Sequence, residues 1–182
     1  MFLAQPDVQI EQWENYQKQG HMNRCKILGA ESILTLSVPL VGGREQKTLV
    51  KEIRINNATR WHTDQLRAIK SCYGKAPFFD YYFEPIEKLL TKNNGWLLEL
   101  NMEALALLIG WLRWQGSVTS SATFLNANAL EIPIANPQLI IPNSQPPVYL
   151  QVFADRVPFT TGLSVMDVLF CQGPEAKNLL KM

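Results

Sequence analysis

Charge of either sign is scarce in this chain. Of its 182 residues 18% are charged, 17 basic against 16 acidic, and the formal net charge is +1. A surface without an overall field does not draw in a polyphosphate backbone, so nucleic acid is not an expected partner. Histidine is scarcer still. His21 and His62 alone exclude a histidine-rich metal site, and no metal is assigned. The three cysteines, Cys25, Cys72 and Cys171, make neither a zinc knuckle nor a close redox pair, which fits reduced thiols in a cytoplasm. Long uncharged apolar runs are missing too. Residues 96–114 have the length of a membrane span but carry Glu99, Asn101, Glu103 and Arg113, so they read as a core helix and no membrane insertion is expected. The first residues lack a basic region followed by an apolar one, so they are not a secretion signal, and the sequon Asn57-Ala58-Thr59 is then accidental. No Gly-rich phosphate loop, dinucleotide fingerprint, His-Glu-x-x-His pair or Gly-x-Ser-x-Gly elbow occurs. Nothing in the sequence names a cofactor.

What is present is apolar. With 47% hydrophobic residues, the chain can bury a core and reads as a single domain over 1–182. Val8 and Ile10 alternate with polar neighbours as in a half-buried strand, and residues 32–40 alternate more clearly. The Gly42-Gly43 pair then turns the chain, and 48–55 resumes the alternation, so the two runs predict an antiparallel hairpin. Helices are predicted over 60–73, stopped by Gly74, and from Pro85 to about Lys92. Residues 96–115 give the longest helix, apolar nearly all round and therefore expected to be covered on several sides. The stretch 126–147, rich in proline and asparagine, reads as an irregular surface crossing with one short strand at 139–141, followed by a strand over 149–153. Ser164 and Asp167 carry the spacing of a helix start, and Gly173-Pro174 breaks that helix before a last short one. The expected fold is α+β, a small mixed or antiparallel sheet packed by about four helices.

Few reactive constellations survive. Cys72 and His62 lie ten residues apart on one helix, about 15 Å along its axis, too far for a hydrogen bond. Cys25 or Cys171 could meet His21 only if the fold brings them together; otherwise they are small buried thiols. Glu99 and Glu103 share a helix face, either as an acid–base pair or as a solvated edge. The aromatic knot at 78–83 suits core packing at a helix junction or stacking on a ring. The run 11–25, EQWENYQKQGHMNRC, differs from these in its density of hydrogen-bonding side chains. If the first strand continues, Glu14, Tyr16 and Lys18 share a face; if the chain turns helical, Glu14 and Lys18 still pair at i and i+4. Asn23 and Arg24 return on the next segment, and arginine suits a planar carboxylate or phosphate. The plain alternative is an exposed polar hairpin end.

In order along the chain, EQWENYQKQGHMNRCKILGA, LTLSVPL, IRINNATRW, KSCYGKAPFFDYYFEPIEKLL, LLELN and YLQVFADRVPFTTGLSVMDVLFCQGPEA resemble the WbqC-like family. The most specific parts are Glu14 to Gln19 with Asn23-Arg24-Cys25, and Leu163 to Phe170 followed by Gly173-Pro174. Members of that family are bacterial and are often met in gene sets for O-antigen and other surface polysaccharides. The resemblance implies a cytoplasmic protein acting on a small-molecule substrate such as a sugar nucleotide, by acyl or aminoacyl transfer to an activated amino sugar, or else a non-catalytic accessory protein of the same pathway. It carries over Glu14, Tyr16, Lys18, Asn23, Arg24, Tyr73 and Asp167 as the polar positions, with no settled roles. The cationic pair beside carboxylates then suggests Arg24 and Lys18 as ligands of phosphate or carboxylate, Glu14 or Asp167 as the catalytic candidates that orient the acceptor, and Tyr16, Asn23 and Tyr73 as further substrate-binding candidates. Two departures stand out. The family's usual strand and helix ahead of Val8 are not in this sequence, and Gln65 stands near the place of a usual histidine. The number of subunits is left open.

Overall fold

The alternating apolar residues do form strands, though not with the partners that adjacency suggests. The computed structural model describes residues 7–17, 20–42, 48–124 and 147–180. Strand β1 (Asp7–Ile10) pairs in parallel with β4 (Ser117–Ser120), from Asp7 opposite Ser117 to Ile10 opposite Ser120. A parallel pair needs a crossover, and here that crossover holds α1 (Trp61–Tyr73), α2 (Phe79–Thr91) and α3 (Leu97–Leu112). Strand β2 (Arg24–Leu28) pairs antiparallel with β3 (Ile33–Ser37). The expected hairpin between 32–40 and 48–55 is corrected by this pairing. Residues Val50–Glu52 form a 3-10 turn, and among the described residues only a bridge between Leu40 and Ile55 remains of that ladder. The reason is competition for backbone groups. Thr48 accepts the Tyr16 N–H, Val50 donates to Glu14, and Ile53 accepts the Leu97 N–H.

The architecture is mixed α+β, with one parallel and one antiparallel strand pair packed by four helices, α4 (Val165–Gln172) being the last of them. A one-turn α5 (Ala176–Leu179) follows a 3-10 turn at Gly173–Glu175. Helix α2 starts at Phe79 rather than at Pro85, which sits inside it. The aromatic knot decides that register. Phe79, Tyr82 and Phe83 recur at helical spacing, Phe79 and Tyr82 are buried, and the Phe79 and Phe83 rings stack at 4.6 Å. Pro85 then leaves the Tyr81 carbonyl without an intrahelical donor, at a residue that is 68% exposed and so open to water.

One apolar core gathers Ile27, Ile69, Tyr73, Phe79, Tyr82 and Phe170; a second holds Tyr16, Ile53, Ile55, Trp61, Leu97 and Leu100. Helix α3 was expected to be covered on several sides, yet only Leu97, Leu100 and Leu112 of it are buried. Part of its remaining apolar surface lines a cavity instead. No helix among the described residues is long and apolar enough to cross a membrane. The segment 149–153 is not a strand. The crossing at 126–147, apart from Pro147, and the strand at 139–141 lie outside the described residues.

Candidate functional site

Most of the polar stretch binds the chain to itself. Ser121 is fully buried, and its carbonyl accepts Gln12 Nε2 at 2.6 Å and Trp13 Nε1 at 3.1 Å. Its hydroxyl takes the Gln12 N–H and donates to Glu11 Oε1, which also accepts the Trp13 N–H. The Lys51 ammonium lies 3.2 Å from the centre of the Trp13 ring. The chain over 11–17 is neither helix nor ladder; a single bridge joins Asn15 to Leu49. Tyr16 is therefore a core residue, and its hydroxyl donates to Asn23 Oδ1 at 2.8 Å while Asn23 Nδ2 donates to the Val38 carbonyl at 2.9 Å. Glu14 is half-buried; desolvation, and then the charge of Glu11, hold its carboxyl above the usual range. Lys18 lies outside the described residues.

Arg24 opens onto a cavity of about 240 Å³. Leu36 of β3, Ile69 of α1, Leu89 of α2 and Leu107 and Trp111 of α3 supply apolar wall. The polar residues on that wall are mostly satisfied. Asn23 is held as above, Gln65 Nε2 donates to the Ser37 carbonyl at 2.8 Å, and Asn101 Nδ2 to the Met22 carbonyl at 2.9 Å. Ser164 caps α4 by accepting the Met166 N–H. Arg24 and His21 are exposed lining residues, and among the described residues neither side chain has a hydrogen bond or an ion pair. Cys25 lines the same cavity as His21, with no hydrogen bond between them among the described residues. Burial pushes its thiol up to about 11, which keeps it protonated and a poor nucleophile at neutral pH.

Asp167 stands elsewhere. Its side chain is fully buried beneath α4, where Oδ1 accepts the Tyr73 hydroxyl at 2.8 Å and Oδ2 accepts Tyr149 at 2.6 Å and Gln151 Nε2 at 3.1 Å. Tyr73 also accepts the Leu28 N–H, and Ser164 N–H donates to the Lys26 carbonyl, so this cluster ties α4 to β2 and α1. Burial and the Asp167 carboxylate raise both phenols, keeping them protonated donors. Cys171, one turn on, is pushed up to about 12 by burial and by Asp167. Gly173 ends α4 at φ 56° and ψ −130°, and a Cβ there would meet the Phe78 ring at 2.5 Å.

Of the residues singled out from sequence, Asn23 and Arg24 line the cavity, Tyr16 braces Asn23, and Tyr73 and Asp167 brace α4. Glu14 is not on the cavity wall, so the two carboxylates do not meet there. Glu103 is paired with Lys92 at 2.6 Å, on the solvent side. Sequence reasoning missed the roles of Tyr149 and Gln151. They alternate inward while Val148 and Leu150 are 76% and 75% exposed, the reverse of the usual apolar-in pattern.

The profile of the WbqC-like protein family matches residues 9–138. The chain belongs to the WbqC-like protein family. No curated protein and no solved structure matches it. The WbqC-like match takes in the polar stretch, Arg24 and the helices α1 to α3 that wall the cavity, and it ends ahead of α4.

Proposed function

We propose that this WbqC-like protein acts in the cytoplasm on an activated amino sugar of bacterial surface polysaccharide (O-antigen type) biosynthesis, with the cavity as its substrate site and acyl or aminoacyl transfer as its reaction. One observation carries the reading. Parts of the two most specific stretches of the sequence, Asn23-Arg24-Cys25 from the first and Ser164-Val165-Met166 from the second, meet on one cavity although about 140 residues separate them. Arg24 is the group for a phosphate or carboxylate, because its guanidinium is exposed and without a partner among the described residues. Lys18 is assigned to the same anion. Tyr16 and Asn23 hold the rim beside Arg24, and Tyr73 with Asp167 positions α4. Glu14 lies off the cavity wall with no hydrogen bond to its carboxylate among the described residues, so it is assigned to orient an acceptor amine that stays outside the cavity.

Isothermal titration with a panel of nucleotide sugars tests the proposal. Loss of a charged hydrogen-bonding group corresponds to about 1.5–3 kcal/mol, so Arg24→Ala should weaken binding roughly tenfold or more. Equal affinity of the wild type and the variant would sink the assignment. A second reading, a non-catalytic binding or accessory protein of the same pathway, is favoured by Gln65. It stands near the place where the family resemblance expects a histidine, and its amide, which donates to the Ser37 carbonyl, cannot take up a proton as a general base at neutral pH. Turnover by purified protein that Glu14→Gln abolishes would defeat that reading.

A further inference from the structure

The geometry points to the cavity as an acyl pocket: it takes a straight aliphatic chain of about six to eight carbons attached to an anionic head at Arg24, and it rejects aminoacyl groups with a free amine. This rests on the reading of the cavity as the substrate site and narrows it. Three features lead here. The interior offers alkyl and indole surface from Leu36, Ile69, Leu89, Leu107, Leu108 and Trp111. The amides that reach the wall, Asn23, Gln65 and Asn101, each spend an N–H on a backbone carbonyl and Asn23 Oδ1 accepts Tyr16, so few polar groups remain on this apolar wall for the several hydroxyls of a sugar, and those left unpaired inside would carry a cost. The cation at the mouth attracts an anion and repels an ammonium, which is what a glycyl or alanyl donor would bring. At the roughly 30 Å³ share of a water-sized group, the 240 Å³ holds about eight such groups. A formyl or acetyl group would leave most of that space unfilled.

Straight-chain carboxylates from acetate to decanoate supply the anionic head with a chain of increasing length and serve as the probes, with glycine and 2-aminooctanoate as the controls whose amine lies beside the head. In isothermal titration, affinity should rise about fourfold per methylene from butanoate on and level off near octanoate. Ala104→Leu adds three carbons to the wall at a half-buried helix position, where leucine is well tolerated. It should weaken octanoate at least tenfold and leave butanoate unchanged, whereas Arg24→Ala should weaken every chain length alike. A melting curve checks that the variant folds, and the wild-type chain-length series decides the matter even if it does not. Flat affinity across the series, no binding, or binding of 2-aminooctanoate as tight as that of octanoate overturns the acyl pocket. If the series is flat while nucleotide sugars still bind in an Arg24-dependent way, the acyl pocket fails and the substrate site stands. If octanoate binds as expected while no nucleotide sugar does, the pocket stands and the proposed substrate falls.

Discussion

Replacing Asp167 separates a positioning role from a chemical one. In Asp167→Ala three donors lose their acceptor at once: the fully buried Tyr73 hydroxyl, the Gln151 amide and the half-buried Tyr149 hydroxyl. A buried donor left unpaired costs about 1–3 kcal/mol. The Gln151 amide keeps its bond to Thr160 and Tyr149 can reach water, so Tyr73 and the cavity left by the carboxylate dominate, giving about 4 kcal/mol in all. For a chain of this length that is a fall of about 8–16 °C in Tm. Asp167→Asn keeps the shape and one acceptor oxygen, so it should cost about 1–2 kcal/mol. Urea unfolding followed by circular dichroism reads both. Because α4 contributes Ser164, Val165 and Met166 to the cavity, ligand affinity measured well below the Tm should change only a few-fold in Asp167→Asn. An Asn variant that melts with the wild type but no longer binds or turns over substrate would refute the positioning role and place the carboxylate on the ligand.

Two further outcomes are expected. For Glu14 the carboxyl is raised in the folded state by burial and by Glu11, so folding disfavours its charged form. That penalty is present above the folded pKa and disappears below the unfolded one. Glu14→Gln should therefore be the more stable form at pH 7, by about 0.5 kcal/mol or less at this half-exposed site, and should converge with the wild type towards pH 4. A less stable Gln variant at pH 7 would mean that the carboxylate has a favourable partner. Gly173→Ala combines a positive φ with a clash on Phe78 and should cost about 3 kcal/mol by urea unfolding. Introduced into Phe78→Ala, the same change should cost less, and an equal cost would rule out the clash.

Local pattern was a good guide wherever local energetics decide. The strand at Val8 to Ile10, the helix ended by Gly74 and the Ser164 cap could all be read from a few neighbouring residues. Pairing could not. The alternation of 32–40 is real, but its partner is β2, because the 48–55 backbone is taken by Glu14, Tyr16 and Leu97. Pro85 misled because a proline starts helices more often than it interrupts them, and three aromatic rings upstream outweighed it. The all-round apolarity of α3 was legible as burial but not as cavity wall, since both demand the same side chains. For the site, residue type identified Arg24. Neither the lack of a partner for its guanidinium among the described residues nor the internal bonding of Asn23 and Gln65 has any one-dimensional signal.

The parallel pairing of β1 with β4 also constrains how the molecule is made. Asp7 and Ser117, which bond across that pair, are 110 residues apart. At about 5–20 residues per second, β1 is synthesised roughly 5–20 s before its partner. During that interval its backbone donors and acceptors are an open edge, while the locally connected helices α1 to α3 can already assemble. Strand β1 is thus made well before it can be secured. Fusions or truncations that end before Ser120 should accumulate as aggregates even though every helix that walls the cavity from α1 to α3 is intact.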